Sequence, residues 1–548
     1  MKFPKTWITV ALFCLMAVAP YFVPWLGEFR ILEARRITAS IDAWKPGAFD
    51  RVIMKPRPIE SAGYHPASTG SAPGAAAANN PLPPSLLTGD YVGKNWPVRD
   101  DLQQILNQPP ESVALQDYGC GMNHFYSALA RTEQKQPGAV TRISHFGDSP
   151  ISGDLISGEA RTLLQEKFGD SGHGFIFIAK PWDFYYHENV SMDGDGWKVG
   201  SPILPGGSGG DVGLGGASFT AGSPSAYSEI RTTKKGEGSL VGRFDIYYRA
   251  QPRGGSFLAS IDKDETKEFS TQADDKATAV VSIPVEEGGH KLRIVPKGDG
   301  VVTLYGVALE RTSPGVVYDT LGMLGGTLHH MTLFHEEAWI QDLQVRKPDL
   351  VILNFGTNES NYGFLSYPDY IRNYSVVIGR IRTALPGVSI LVMSPMDRGQ
   401  RNDDGDIVTI PSIPLLVAAQ QRIARTEAVA FYNTFAAMGG MGTMARWYDE
   451  HPRLVTGDFT HPTYTGAQEL GSKLVDALMK GFDEYKKDQG SPPCVPGGEP
   501  APVEQKDESG KQPGAGSPQA AGGGKTIQKA KGKGHKARAR RKRSPLVS

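Results

Sequence analysis

The sequence predicts an α/β protein whose parallel-sheet domain is interrupted by an all-β insertion. Three observations carry this expectation. Apolar runs that stop at glycine-containing turns and lead into helical patterns occur twice, around 139–180 and again from about 316 onward. Residues 349–355, Asp-Leu-Val-Ile-Leu-Asn-Phe, form a near-continuous apolar run of the kind that a parallel strand needs when both its faces are covered. Between them, from about 182 to 312, no helical period is found, and short alternating runs are separated by glycine-rich loops.

Taken in order, residues 1–26 begin with Lys2 and Lys5 followed by an apolar stretch from Trp7 to about Trp25. This is the charge pattern of a signal sequence or an uncleaved membrane anchor, and it implies an exported chain. Residues 27–112 read as a Pro/Ala-rich linker, typified by His-Pro-Ala-Ser-Thr-Gly-Ser-Ala-Pro at 65–73. The first part of the α/β domain is expected at 113–181, with a helix over 124–138 that stops at Pro-Gly. The strand at 143–146 and an amphipathic helix ending near Gly169 follow. The insertion at 182–312 carries runs such as Leu-Val-Gly-Arg-Phe-Asp-Ile-Tyr-Tyr (240–248), which suggest a β-sandwich or jelly roll. The second part of the α/β domain, 313–486, adds a strand at 315–319, a helix over 332–348, the buried strand, a helix near 370–385, the strand 389–393, a helix near 413–428 and the strand 429–433.

Residues 487–548 have the composition of a disordered tail with a basic end. The formal net charge of zero hides this asymmetry. Residues 525–548 hold ten Lys or Arg and no acid, leaving 48 basic against 58 acidic side chains in the first 524, a balance of −10. An acidic body argues against a nucleic-acid-binding domain, since a phosphate footprint needs clustered cations. The tail is suited to an anionic envelope polymer, lipid or nucleic acid, or to solvent alone. Three cysteines make no disulfide framework. Cys120 and Cys494 are a possible pair in an oxidising compartment, with free thiols the preferred reading.

Four short motifs carry chemistry. Gly147-Asp148-Ser149 ends the first strand, where a serine would stand at the rim of a sheet. Gly322-Met-Leu-Gly325-Gly326 is a glycine-rich turn that lets a backbone N–H approach a substrate. Gly356-Thr-Asn358 follows the buried strand, where open α/β sheets place ligands, and Asn358 could offer its amide to an oxyanion. Asp458-x-x-His461 precedes a helix, so the carboxylate can orient the imidazole. Each alone has an ordinary reading as a turn or a helix cap.

In this order the four motifs resemble the blocks of the SGNH (or GDSL) hydrolase family, over about 139–180 and 314–482. The resemblance implies a three-layer α/β/α, flavodoxin-like domain that cleaves esters through an acyl-serine, without metal or cofactor. It implies Ser149 as nucleophile, His461 as base and then acid, and Asp458 as its orienting carboxylate. The oxyanion donors would be the N–H groups of Ser149 and Gly325 and the side chain of Asn358, with Gly322 or Gly326 as neighbouring choices for the second. Two departures, Pro150-Ile-Ser after the nucleophile and Tyr318-Asp-Thr in the second block, leave substrate shape open.

The signal-like start and the insertion make the chain similar to bacterial envelope O-acetylesterases. The expected substrate is therefore an acylated glycan, with an O-acyltransferase, a lipase or thioesterase, or a non-catalytic glycan-binding protein as rivals. Trp182, Tyr185, Tyr186 and Trp197 are candidate sugar platforms, each equally readable as core. Gly-Gly-Ser208-Gly-Gly has neither the strand nor the helix that a nucleophile turn needs. His329, His330 and His335 lack a His-Glu-x-x-His zinc spacing.

Overall fold

The computed structural model describes residues 92–110, 113–207, 210–233, 236–361 and 365–488. The N-terminal apolar run, Ser208, Cys494 and the basic tail lie outside these residues. Among the described residues no helix is long and apolar enough to cross a membrane.

The α/β domain is built on a six-stranded sheet whose strands are labelled β1 (Gln116–Asp117), β2 (Val140–Gly147), β3 (Gly315–Gly322), β4 (Leu350–Asn354), β5 (Ser389–Met393) and β6 (Ala430–Tyr432). Their spatial order is β1-β6-β5-β4-β2-β3, parallel except for the short β1. Strand alternation sends Val351 and Leu353 to one face of the sheet and Leu350 and Ile352 to the other. The first face packs on helices Glu336–Arg346, Tyr367–Ala384 and Ser412–Thr426. The second packs on Asn123–Glu133, Ile156–Phe168 and Tyr464–Lys487. Three layers result because the central strands β4 and β5 are buried along their whole length and helices cover the sheet on both sides.

The chain runs from β2 outward to β3, then crosses back over β2 to β4. The carboxyl ends of β2 and β4 thus flank a topological switch point, where the connecting loops diverge and leave a crevice. Gly147 pairs with Gly322 on one side and Asn354 on the other, so three strands end at one level.

Between β2 and β3 the chain forms two antiparallel sheets. One orders Lys267–Ser270, Ser256–Ile261, Lys291–Pro296, Tyr227–Thr232 and Val190–Asp195; the other includes Ala277–Gly288, Val241–Ala250 and Val302–Glu310. Tyr248 and Phe257 meet between the sheets at 5.6 Å in an edge-to-face pair. This β region shares one apolar core with the α/β sheet, and Gly174–Ile176 already pairs with Val302–Glu310. Arg346 fastens the junction. Its buried guanidinium donates to Asp319 of β3 at 2.7 and 2.8 Å and also to Glu310 at the end of the last β-region strand.

Several expectations change. Within the stretch read as linker, Arg99–Leu106 is a helix with Leu102 and Ile105 buried. The helix expected over 332–348 is two: Leu328–Thr332, capped by Thr327 with His330, and Glu336–Arg346. Cys120 is disulfide-bonded, against the free-thiol reading, its partner lying outside the described residues.

Candidate active site

The turn after β2 is tight. A Cβ on Gly147 would lie 2.5 Å from Ile151 Cγ1 and 3.0 Å from the Asn354 carbonyl oxygen, so only glycine lets the next turn fold over the strand end. Ser149 opens the short helix Ser149–Ser152, with Pro150 in its first turn, where a missing N–H costs nothing. Asp148 is buried behind it. Burial lifts its pKa to about 6, against a hydrogen bond from Thr357 and the charges of His461 and Arg398.

Asp458 and His461 stand on one turn before the helix Tyr464–Lys487. Asp458 Oδ1 accepts from Thr456 Oγ1 at 2.7 Å and from the N–H groups of Thr460 and His461 at 2.9 and 3.0 Å. These bonds hold the carboxylate so that Oδ2 accepts from His461 Nδ1 at 2.6 Å. A carboxylate only accepts, so Nδ1 carries the proton and the Nε2 lone pair faces outward. His461 Nε2 lies 2.9 Å from Ser149 Oγ. Ser149, more than 300 residues before the other two in sequence, forms one hydrogen-bonded line with His461 and Asp458.

The electrostatics match the geometry. Burial disfavours the charged form of His461, yet the hydrogen bond and charge of Asp458 raise its pKa above the ordinary value; Asp148 adds to this and Arg398 opposes it. Burial would raise the Asp458 pKa, but bonds from His461 and Thr456 and the His461 charge hold it well below the carboxylate range. The His461 and Asp458 side chains are 36% and 50% exposed, so water reaches the relay directly.

The three candidate glycines at and after the end of β3 differ. Gly322 belongs to β3, and a Cβ there would lie 1.9 Å from the Ser152 backbone nitrogen. The Gly326 N–H donates to the Met323 carbonyl at 2.9 Å. Gly325 is exposed, has φ +72°, and its N–H has no acceptor among the described residues. Asn358 Nδ2 donates one hydrogen to the Gly326 carbonyl at 2.8 Å, which joins the two turns and leaves its second N–H available. Beneath them Glu359 accepts from the N–H groups of Leu328 and Gly356, both at 3.0 Å. Burial lifts its pKa to about 7.

Ser149, His461 and Asp458 are thus joined by hydrogen bonds beyond the end of β2, while Gly325 and Asn358 stand on the turns after β3 and β4, the two neighbours of β2. Motif reading gave no role to Asp148 within the first motif, to Glu359 next to the third, or to Arg398 between the third and the fourth. Of the four aromatic candidates, Trp182 and Tyr185 are core: Trp182 donates to Ser152 Oγ at 2.6 Å and the Tyr185 hydroxyl accepts from the Phe177 N–H at 3.0 Å. The indole of Trp197 donates to the Tyr227 carbonyl at 2.8 Å. Tyr186 is 42% exposed, as are Phe184 and Tyr464 to similar degrees. Tyr186 lies beside the helix Ser149–Ser152, its N–H donating to the Ser152 carbonyl at 3.3 Å.

Asp154, His173 and His187 could by spacing gather a cation. The Asp154 oxygens, however, already accept from Arg161 at 2.9 and 2.7 Å, Thr320 at 2.8 Å and the Glu188 N–H at 2.9 Å. That saturation makes the cluster a structural strut.

Residues 296–469 match the profile of the GDSL-like lipase/acylhydrolase family. The matched segment contains Gly325, Asn358, Asp458 and His461, and Ser149 lies before it, beyond the β region. The solved structure of a peptidoglycan O-acetylesterase superposes with a TM-score of 0.58 at 21% identity, covering 68% of this chain and 99% of the other. A family two carbohydrate esterase from Cellvibrio japonicus aligns over 56% of this chain and 98% of its own, at 14% identity and a TM-score of 0.23. No curated protein sequence matches the chain.

Proposed function

We propose that this chain, an acyl ester hydrolase with the fold of the SGNH superfamily, removes acetyl or another short acyl group from an envelope polysaccharide or peptidoglycan. The observation that carries the reading is the unbroken line from Asp458 through His461 to Ser149, with bonds of 2.6 and 2.9 Å. In this reading Ser149 Oγ attacks the ester carbonyl carbon as its proton passes to His461 Nε2, and Asp458 stabilises the imidazolium. The carbonyl oxygen becomes an oxyanion, met by the N–H groups of Ser149 and Gly325 and the free amide hydrogen of Asn358. Collapse breaks the bond to the sugar oxygen, which takes the proton from His461. Water then gives its proton to His461 and attacks the acyl-serine, releasing the carboxylate and restoring Ser149.

The exposure of the relay favours water over a sugar hydroxyl as acceptor, hence hydrolysis over transfer. A glycan substrate is supported by the fold shared with a peptidoglycan O-acetylesterase and by the exposed rings of Tyr186 and Tyr464 near the nucleophile helix and His461. Export is supported by the disulfide at Cys120, since such bonds persist in oxidising compartments. The test is acetate release from p-nitrophenyl acetate and from acetylated xylan and peptidoglycan. Ser149→Ala and His461→Ala should each lower kcat by on the order of 10⁴-fold. A folded wild-type protein inactive on all three, with or without a sugar acceptor, would refute the reading and turn attention to glycan binding.

A further inference from the structure

Arg398 follows β5, and its half-buried side chain reaches two turns at once. Its Nη1 donates to the Thr357 carbonyl at 3.1 Å and to Ser360 Oγ at 2.7 Å. Its Nε donates to Thr460 Oγ1 at 3.3 Å. Thr357 and Ser360 bracket Asn358, and Thr460 immediately precedes His461. We propose that Arg398 is a positioning residue for the esterase reaction, a clamp that fixes the turn of the oxyanion donor Asn358 against the turn of the base His461. The proposal rests on the roles given to those two residues above.

Several features favour a clamp over an ordinary structural arginine. No carboxylate lies within ion-pair distance of Arg398 among the described residues, although burial penalises its charge. Its compensation comes instead from neutral acceptors on the two turns and from Asp458 and Asp148 at longer range. A planar fork can satisfy acceptors on both sides, whereas an ammonium is a single point. The charge also faces the relay. Asp458 on its own turn and Asp148 behind the nucleophile raise the His461 pKa, and Arg398 is the group that opposes them. The clamp thus sets geometry and also keeps His461 neutral to a lower pH.

The full chain is assayed with p-nitrophenyl acetate from pH 5 to 9, with thermal unfolding as a fold control and ¹³C-histidine NMR to titrate His461. Arg398→Gln should lower kcat roughly 10- to 100-fold with KM within about twofold. The acid limb of kcat/KM and the His461 titration should both move to higher pH. Arg398→Lys keeps the charge, so the limb should stay in place while kcat falls; it also serves if the Gln variant does not fold. Added guanidinium should restore part of the activity of Arg398→Gly. Unchanged kcat, a loss confined to KM that marks direct substrate contact, or an unmoved His461 titration with no rescue would each overturn the clamp. Failure of the esterase reading shows separately, as an inactive wild type or an active Ser149→Ala, while the NMR titration still reads the link between Arg398 and His461.

Discussion

Gly322→Ala tests how firmly the sheet holds the nucleophile. The new methyl carbon would lie 1.9 Å from Ser152 N and 2.4 Å from both Ile151 C and Ser152 Cα, all backbone of the helix that begins at Ser149. Ordinary contact starts at 3.4 Å, so that helix must retreat by about 1.5 Å. A displacement of this size is large against the gap of about 0.3 Å that separates the 2.9 Å Ser149–His461 bond from the roughly 3.2 Å reach of proton transfer. A misplacement of about 1 Å can cost on the order of 100-fold, so kcat should fall at least that far. Overpacking adds a stability loss of about 1–3 kcal/mol. Gly325→Ala is the contrast. Its Cβ would meet nothing within 4 Å, and only the left-handed backbone at φ +72° resists it, at about 1 kcal/mol. That variant keeps its N–H and should retain kcat within several-fold. Both are measured on p-nitrophenyl acetate, with denaturant unfolding alongside. A folded Gly322→Ala protein within about threefold of wild-type kcat would refute the argument that β3 fixes the nucleophile turn.

Three further outcomes follow from the geometry. Because Asp458 raises the His461 pKa, the acid limb of wild-type kcat/KM should lie above about pH 6.5; Asp458→Asn should move it down and lower kcat by on the order of 10⁴-fold in a pH–rate series. The buried carboxyl of Glu359 has its pKa raised from 4.5 to about 7, so the stability it contributes is full below pH 4.5 and is lost as pH rises toward 7, by roughly 3 kcal/mol. Glu359→Gln should remove that slope from the difference between denaturant curves at pH 4.5 and 7.5, even though its NH₂ opposes one of the two N–H donors. Arg346→Leu leaves Asp319 buried without its cation, while Glu310 keeps Arg142 and Arg243, and should destabilise the fold by about 3 kcal/mol, measured by the same unfolding assay.

The parts that sequence made readable are those whose cause is local. Leu350–Asn354 announces itself because a strand covered on both faces must be apolar at every position. Asp458 and His461 are readable because three residues separate a carboxylate from the ring it orients. Val190–Asp195 and Tyr227–Thr232 are hard to read because glycine and charge dilute their alternation, and it is pairing with each other, and of Tyr227–Thr232 with Lys291–Pro296, that makes them strands. Arg99–Leu106 is one short polar helix in Pro-rich company, held by burial of Leu102 and Ile105 against the helix Ser412–Thr426. Arg398 and Glu359 escaped for a related reason. Glu359 directly follows Asn358, but the contacts of both residues, to Leu328 and to Thr357, Ser360 and Thr460, exist only once separate turns meet. Trp182 and Tyr185 show the converse, aromatic residues whose composition suggests a sugar surface and whose surroundings make them core.

The β region between β2 and β3 also bears on how the chain reaches its native state. These two strands are parallel neighbours, yet Gly147 and Gly315 are separated by some 170 residues, where a simple crossover needs about 12. Closing so long a loop from an unfolded chain costs roughly 2 kcal/mol more than closing the short one. If the antiparallel sheets form first, from hairpins of nearer contacts, their folded ends bring β2 and β3 together and most of that cost disappears. During synthesis the serine strand emerges long before either of its neighbours. The relay cannot assemble until Asp458 and His461 have followed, near the close of the folded sequence. In the reading proposed above, hydrolysis is therefore acquired late in synthesis, and a polypeptide that ends between Ser149 and Asp458 carries the serine without the carboxylate and imidazole proposed to activate it.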